Sequence, residues 1–379
     1  MCGLGKLAAS RKSNRKSLML KRFLVPEADK VFVKEQVIRA ATEEIFRKMG
    51  QTDEDAVLST DVLLTSDLRG CESHGVSNML RSYIRGYDNG TINPRPETKV
   101  VRESLVSATL DADNGLGIQV GPKAMQMAID KAEETGLGSV VVQHCGHAGM
   151  LAYYPLMAIG HEMIGVSMHS VGGKLQVPTF GAEAVYGTNP IAWGVPAGEL
   201  PPFVFDVATT QVAANKLMLT RRIGSHLEPA WITDLQGEPI MEKVNSPGYG
   251  EFLMLPFGGT RENGSHKGYG FATIVDIMAG ILSGNGPGHF AKDGYGLFMM
   301  AMKVDAFVDV ADFKTDMDRL LERLSTMKPA KGHDRVYYAG LIEHEETEKR
   351  REAGIPYHSE VVEWFNQTAK DRDLSYSLP

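Results

Sequence analysis

Cysteine is scarce in this chain. Cys2, Cys71 and Cys145 are the only three. An odd, sparse set does not make a disulfide framework and suits a reducing compartment such as the cytoplasm. Long apolar runs are also missing. None reaches the ~18 residues of a membrane span, and the nearest, 269–282, is short and carries Asp276, so it reads as a buried helix. Positive charge is not in excess: 40 Lys and Arg stand against 47 Asp and Glu, a net charge of −7. Mild acidity argues against a nucleic-acid binder, whose footprint is a basic domain. A secretory signal is unsupported, because no apolar h-region follows the N-terminus.

Several sequence signatures of chemistry are missing as well. Gly115-Leu116-Gly117 with Gly121 spells G-x-G-x-x-x-G, one residue off the dinucleotide fingerprint, with no acidic residue at the ribose-reading position. It reads as a strand-to-helix turn. There is no G-x-x-x-x-G-K-[ST] phosphate loop, no G-x-S-x-G nucleophile elbow and no H-E-x-x-H. His144-Cys145-Gly146-His147 has no second ligand pair to close a zinc set, so no metal is expected.

What is present is an ordinary globular composition, 43% hydrophobic and 23% charged, in 379 residues. That length suggests two or three domains. Glycine is abundant at 40 residues, which implies tight turns or close backbone approach to a ligand. Residues 1–29 form a basic tail with no acid before Glu27. Such a composition suits an organellar transit peptide, although a solvated tail is the simpler expectation. Apolar residues then recur at helical spacing through 33–90, and Asn93-Pro94-Arg95-Pro96 reads as an extended linker. Strand and helix patterns alternate over 97–304, including the β-branched run Val140-Val141-Val142 and a helix over 267–283. Helical patterns return after 305, where the charged stretch 343–352 predicts a solvated helix. The fold class is therefore α/β, layered, with both helical ends (30–96 and 305–379) meeting as one discontinuous domain around 97–304.

Three groups of residues could carry chemistry. His147 follows the strand 139–142 in a Gly-His-Ala-Gly stretch, where α/β sheets place their ligands. His74 lies in Ser73-His74-Gly75 between two helices, where Ser73 could cap the second. A histidine titrates near neutrality and can exchange a proton with a hydroxyl or carbonyl. Asp206 closes an apolar strand, and Lys267 opens a helix between glycines, where a lysine and free N–H groups can meet a phosphate or ribose.

Taken together, these segments resemble the type 2 malate/L-lactate dehydrogenase family, whose members include ureidoglycolate and sulfolactate dehydrogenases, diketogulonate reductase and a cyclic imine reductase. The matching stretches are Asp67-Leu68-Arg69-Gly70 with Ser73-His74-Gly75, Gly146 to Gly149, Pro178 to Gly181, Gly187 to Pro190, Phe205 to Thr210, and His266 to Gly270 with Asp276. Their order covers roughly 30–355. The resemblance implies a non-Rossmann central α/β domain that binds NAD, or NADP, and a helical domain built from both chain ends. It implies a homodimer and a small carboxylate substrate, a 2-hydroxy acid or its 2-oxo acid. Ureidoglycolate or cyclic imine chemistry, and a non-catalytic dinucleotide-binding protein, are the alternatives. His147 and His74 match positions of acid/base histidines. Asp206, Val207, Ala208 and Lys267 match cofactor-contacting positions, and Ser170 lies near another.

The family's carboxylate-binding arginine falls at Asn78 in this chain. Arg81, three residues on and on the same helix face, is the expected replacement, with Arg85 the weaker choice.

Overall fold

The computed structural model describes residues 23–288, 290 and 294–379. The basic stretch through residue 22, and with it the transit-peptide expectation, lies outside the described residues.

The helical layer starts with strand β1 (Lys30–Val33) and helices α1 (Glu35–Lys48), α2 (Asp53–Leu68) and α3 (Val76–Asp88). Thr52 caps α2 by accepting from the Asp55 N–H at 3.2 Å, and Asp53, Glu54 and Asp55 fill its positive first turn. The C-terminal end returns as α9 (Leu341–Ala353), β13 (Ile355–His358) and α10 (Ser359–Arg372). β1 pairs antiparallel with β13, Val33 opposite Ile355. Ile38, Phe46, Leu63 and Leu80 from one end share a single core with Tyr357, Val361 and Phe365 from the other.

The central layer is a seven-stranded sheet. Its strands are β2 (Lys99–Glu103), β3 (Ser107–Asp111), β4 (Leu137–Cys145), β5 (Met163–Ser170), β6 (Ile191–Val195), β7 (Phe203–Val207) and β12 (Tyr295–Lys303), in the order β2-β3-β4-β12-β5-β6-β7. Only β3 and β4 run parallel, joined through α4 (Gly117–Thr135). All other neighbours in the sheet are antiparallel, so this is no doubly wound parallel sheet. Side chains alternate across it as a pleated strand requires. Val140 and Val142 join Leu297 and Met299 under α4 and α5 (Tyr153–Ile159), while Val141 and Phe298 face Val275 and Ala279 on the opposite side.

Between β7 and the last sheet strand lie α6 (Ala214–Arg222) and the two-residue strands β8 (His226–Leu227), β9 (Ile232–Thr233), β10 (Val244–Asn245) and β11 (Leu253–Met254), paired as two small ribbons. α7 (Ser265–Val275) then continues as a wider π-helical turn, Asp276–Ile281, rather than as one regular helix over 267–283. Buried Asp276 sits where the winding changes and accepts from Ser170 Oγ at 2.7 Å and from the Gly288 N–H.

Two further differences concern the C-terminal end. α8 (Val310–Ser325) does not join the helical core; Leu321 packs with Tyr338, Leu341 and Phe203 at the β7 side of the sheet. The charged helix α9 is not wholly solvated either. Arg350 is buried, with Nη2 2.6 Å from Glu72 Oε1, Nε 3.0 Å from Glu346 Oε1 and Nη1 donating to the Asp67 carbonyl. Among the described residues no helix is long and apolar enough to cross a membrane.

Candidate active site

β4, β5 and β7 point the same way, because β12 runs antiparallel between the first two and β6 between the last two. Their carboxyl ends therefore open on one edge of the sheet. His147 follows the end of β4, His169 is the penultimate residue of β5, Asp206 and Val207 end β7, and Ala208 follows it. Against this edge the helical layer presents the α2–α3 loop. The two layers enclose a cavity of about 480 Å³ lined by His74, His147, His169, Asp206, Val207 and Ala208, with Arg69, Lys216 and Tyr295 also on its wall. That volume suits a small-molecule ligand.

The α2–α3 loop is built around Asp67. Its Oδ2 accepts from the Val76 N–H at 3.0 Å and from the Tyr357 hydroxyl at 2.9 Å. Asp67, not Ser73, therefore serves the first turn of α3. A Cβ on Gly75 would lie 1.8 Å from Asp67 Oδ1, so the close approach requires glycine. Ser73 Oγ turns instead to His74 Nδ1 at 2.9 Å.

The rings of His74 and His147 stack with centroids 5.7 Å apart, and His169 meets His147 edge-on at 6.1 Å. Burial pushes His74 and His169 down to about 4 and holds His147 well below the usual histidine range. All three are neutral at neutral pH. His147 Nδ1 lies 2.8 Å from Tyr83 Oη and accepts from the Gly149 N–H at 3.2 Å. Asp206 Oδ2 accepts from the Ala152 N–H at 2.7 Å. Burial raises that carboxyl to about 6 against the pull of this N–H and of Arg69. Burial also pushes the Cys71 thiol up to about 12, so it is no nucleophile.

The structure brings His74, His147, Asp206, Val207 and Ala208 onto one wall. It does not bring the other expected residues there. Ser170 is buried behind the wall and tied to Asp276. Lys267 is exposed in the first turn of α7 and is not part of the cavity lining. Arg81 is not part of the cavity lining either. Its Nη2 lies 2.6 Å from Glu360 Oε1 and its guanidinium covers the Trp364 ring at 4.8 Å, so the side chain is spent on α10. Arg85 is exposed. At the vacated arginine position, Asn78 is buried and its Nδ2 donates to the Asn215 carbonyl at 3.4 Å. The cations on the cavity wall are Arg69, whose Nε is buried without a hydrogen-bond partner among the described residues, and Lys216. His169, Lys216 and Tyr295 are wall residues that motif reading passes over; the only signal for His169 is a histidine near the end of a central strand. The His144 and Cys145 side chains diverge from His147, toward Asp111 and the Tyr295 carbonyl.

The model of the malate/L-lactate dehydrogenase family matches residues 33–366. The chain is 36% identical over 356 residues to malate dehydrogenase of Pyrococcus horikoshii, covering 90% of this chain and 98% of that one. It is 32% identical over 317 residues to L-sulfolactate dehydrogenase of Methanocaldococcus jannaschii, covering 82% and 88%. The crystal structure of malate dehydrogenase from Entamoeba histolytica superposes with a TM-score of 0.86 at 31% identity, over 91% of this chain and 99% of that chain. A match over most of the chain in sequence and in fold leaves one conclusion: this protein belongs to the malate/L-lactate dehydrogenase family of oxidoreductases.

Proposed function

We propose that this chain moves a hydride between a nicotinamide cofactor and a small 2-hydroxy acid, of the malate or lactate type, giving the 2-oxo acid. The observation that carries this reading is the convergence of His74 and His147 with Asp206, Val207 and Ala208 on one cavity. The residues present fit a nicotinamide nucleotide. Arg69 and Lys216 offer positive charge to its phosphates or to the substrate carboxylate, and the orphaned Arg69 Nε awaits an acceptor. When bound, the cofactor supplies or takes the hydride. The protein orients the substrate, shields it from water and handles the proton at a histidine. His147 is the histidine assigned to the substrate oxygen, with Tyr83 and Gly149 holding its other nitrogen and His74 its ring plane. NAD is the expected cofactor, with NADP the other form to test.

The active unit is a homodimer in this reading. Phe271, Ile274, Ile277 and Ile281 make an exposed apolar stripe along α7 and its π-helical turn, which a second copy would cover. The free thiols of Cys71 and Cys145 suit a cytoplasmic enzyme. The test is cofactor absorbance with malate or lactate, in both directions. Light scattering on the same sample reads the dimer.

A further inference from the structure

Lys216 stands on the cavity wall in the first turn of α6. A positive charge there opposes the helix dipole, so the helix itself does not favour an ammonium at that end. Among the described residues Lys216 makes no ion pair and no hydrogen bond. Burial, and after it the charge of Lys216, hold His74 low, so the ammonium lies within electrostatic reach of that ring.

What the ammonium does meet is an aromatic face. Its Nζ lies 5.0 Å from the centroid of the Phe23 ring, within the range of a cation–π contact. Phe23 is 8% exposed and stacks on Trp231 at 14°, with ring centroids 6.1 Å apart. Phe23 and Val25 also close a small cleft with Ser77 and Tyr357 of the helical layer and with Leu219 and Arg222 of α6. The segment ahead of β1 is therefore wedged between α6 and the helical layer. It precedes residue 33, where the family match begins. A carboxylate in the place of Phe23 would hold the lysine but cancel its charge. An aromatic face holds it and leaves the charge uncompensated. A half-buried ammonium held in this way still calls for an anion, and its open side is the cavity.

We propose that Phe23 is a positioning residue: it fixes the Lys216 ammonium at the cavity wall and so reserves that charge for an anionic oxygen of the bound ligand. This rests on the dehydrogenase reading above, which supplies two such groups, the substrate carboxylate and the cofactor diphosphate. Both present the same chemistry, an anionic oxygen that accepts from an ammonium. Phe23 touches neither and acts through Lys216. The N-terminal segment thereby sets binding strength and takes no part in the transfer of proton or hydride.

The first test needs no turnover. Folded protein is labelled with a trace of acetic anhydride, and acetylation of Lys216 is read by mass spectrometry. Phe23→Ala and Phe23→Leu should each raise the labelling rate at Lys216 roughly threefold or more, as loss of a partly buried cation–π contact implies. Phe23→Tyr should label like wild type. Phe23→Leu keeps an apolar side chain in the cleft, so it separates loss of the ring from loss of packing. A Lys216 rate in Phe23→Leu equal to that of wild type overturns the proposal. The second test finds the anion. In Phe23→Leu either the Kd of ADP-ribose by calorimetry or the KM for oxaloacetate or pyruvate should rise roughly fivefold or more, with kcat within about twofold and Phe23→Tyr restoring the loss. The first pattern assigns Lys216 to the diphosphate and the second to the carboxylate. Both constants unchanged, or a fall in kcat alone, overturns the proposal. A wild-type protein that turns over no 2-hydroxy or 2-oxo acid sinks the dehydrogenase reading instead, and the labelling still decides whether Phe23 holds Lys216.

Discussion

The imidazoles of His74 and His147 stack at 5.7 Å although the two residues belong to different layers of the fold. His74 rides on the loop that Asp67 organises, and His147 on the carboxyl end of β4. The cavity is therefore shaped jointly by both layers, and each ring is held by neighbours of its own. Replacing His147 by Asn removes the Nδ1 partner of Tyr83 and Gly149 and the ring facing the substrate. Turnover should fall roughly 100-fold or more, while cofactor affinity measured by calorimetry stays near wild type. Near-normal turnover would move the substrate contact to His74.

Arg81 is committed to Glu360 and Trp364. Arg81→Ala should leave the KM for a carboxylate substrate within about twofold, whereas Arg69→Ala should raise it by roughly tenfold or more, the usual loss for a charge-assisted contact. Steady-state kinetics on both variants decides the matter. A large KM increase in Arg81→Ala alone would restore it as the carboxylate anchor.

Gly75 is required by steric contact rather than by backbone angle, since its φ is −89°. A methyl group there would meet the Asp67 carboxylate. Gly75→Ala should cost about 1–3 kcal/mol of stability, as overpacking of a buried site does, and should displace His74. Urea unfolding measures the first effect. An unchanged midpoint would show that the loop has room the structure does not indicate.

Burial lifts the Asp67 carboxyl from 3.8 to about 7. A carboxyl whose pKa is higher folded than unfolded binds its proton more tightly in the native state. Its contribution to stability is full below about 4, falls as pH rises toward about 7, and is level above that. Asp67→Asn removes the titration. The wild-type midpoint should thus drop relative to Asp67→Asn across that window. Parallel curves for the two proteins would mean that Asp67 stays ionised when buried.

Much of the central layer was legible from local pattern. Val140-Val141-Val142 announces a buried strand, and His147 just beyond it falls where α/β sheets hold ligands. The rest depends on pairings far apart in the chain. β12 inserts between β4 and β5, so the partner of His169 is a carbonyl 127 residues away, which no local spacing reveals. Arg350 reads as one charge among many in α9, yet it pairs with Glu72 across 278 residues. The same limit applies to Arg81. Helical spacing correctly puts it near Asn78, but which sector of α3 meets the cavity and which meets α10 is decided by tertiary packing.

The most direct measurement is nicotinamide absorbance in a small grid, with NAD and NADP crossed against malate and lactate and the reduced forms against oxaloacetate and pyruvate. Turnover on at least one acid, dependent on one cofactor and lost in His147→Asn, is the predicted result. Silence across the grid from protein that binds cofactor by calorimetry would contradict the account and leave a dinucleotide-binding protein without 2-hydroxy acid chemistry.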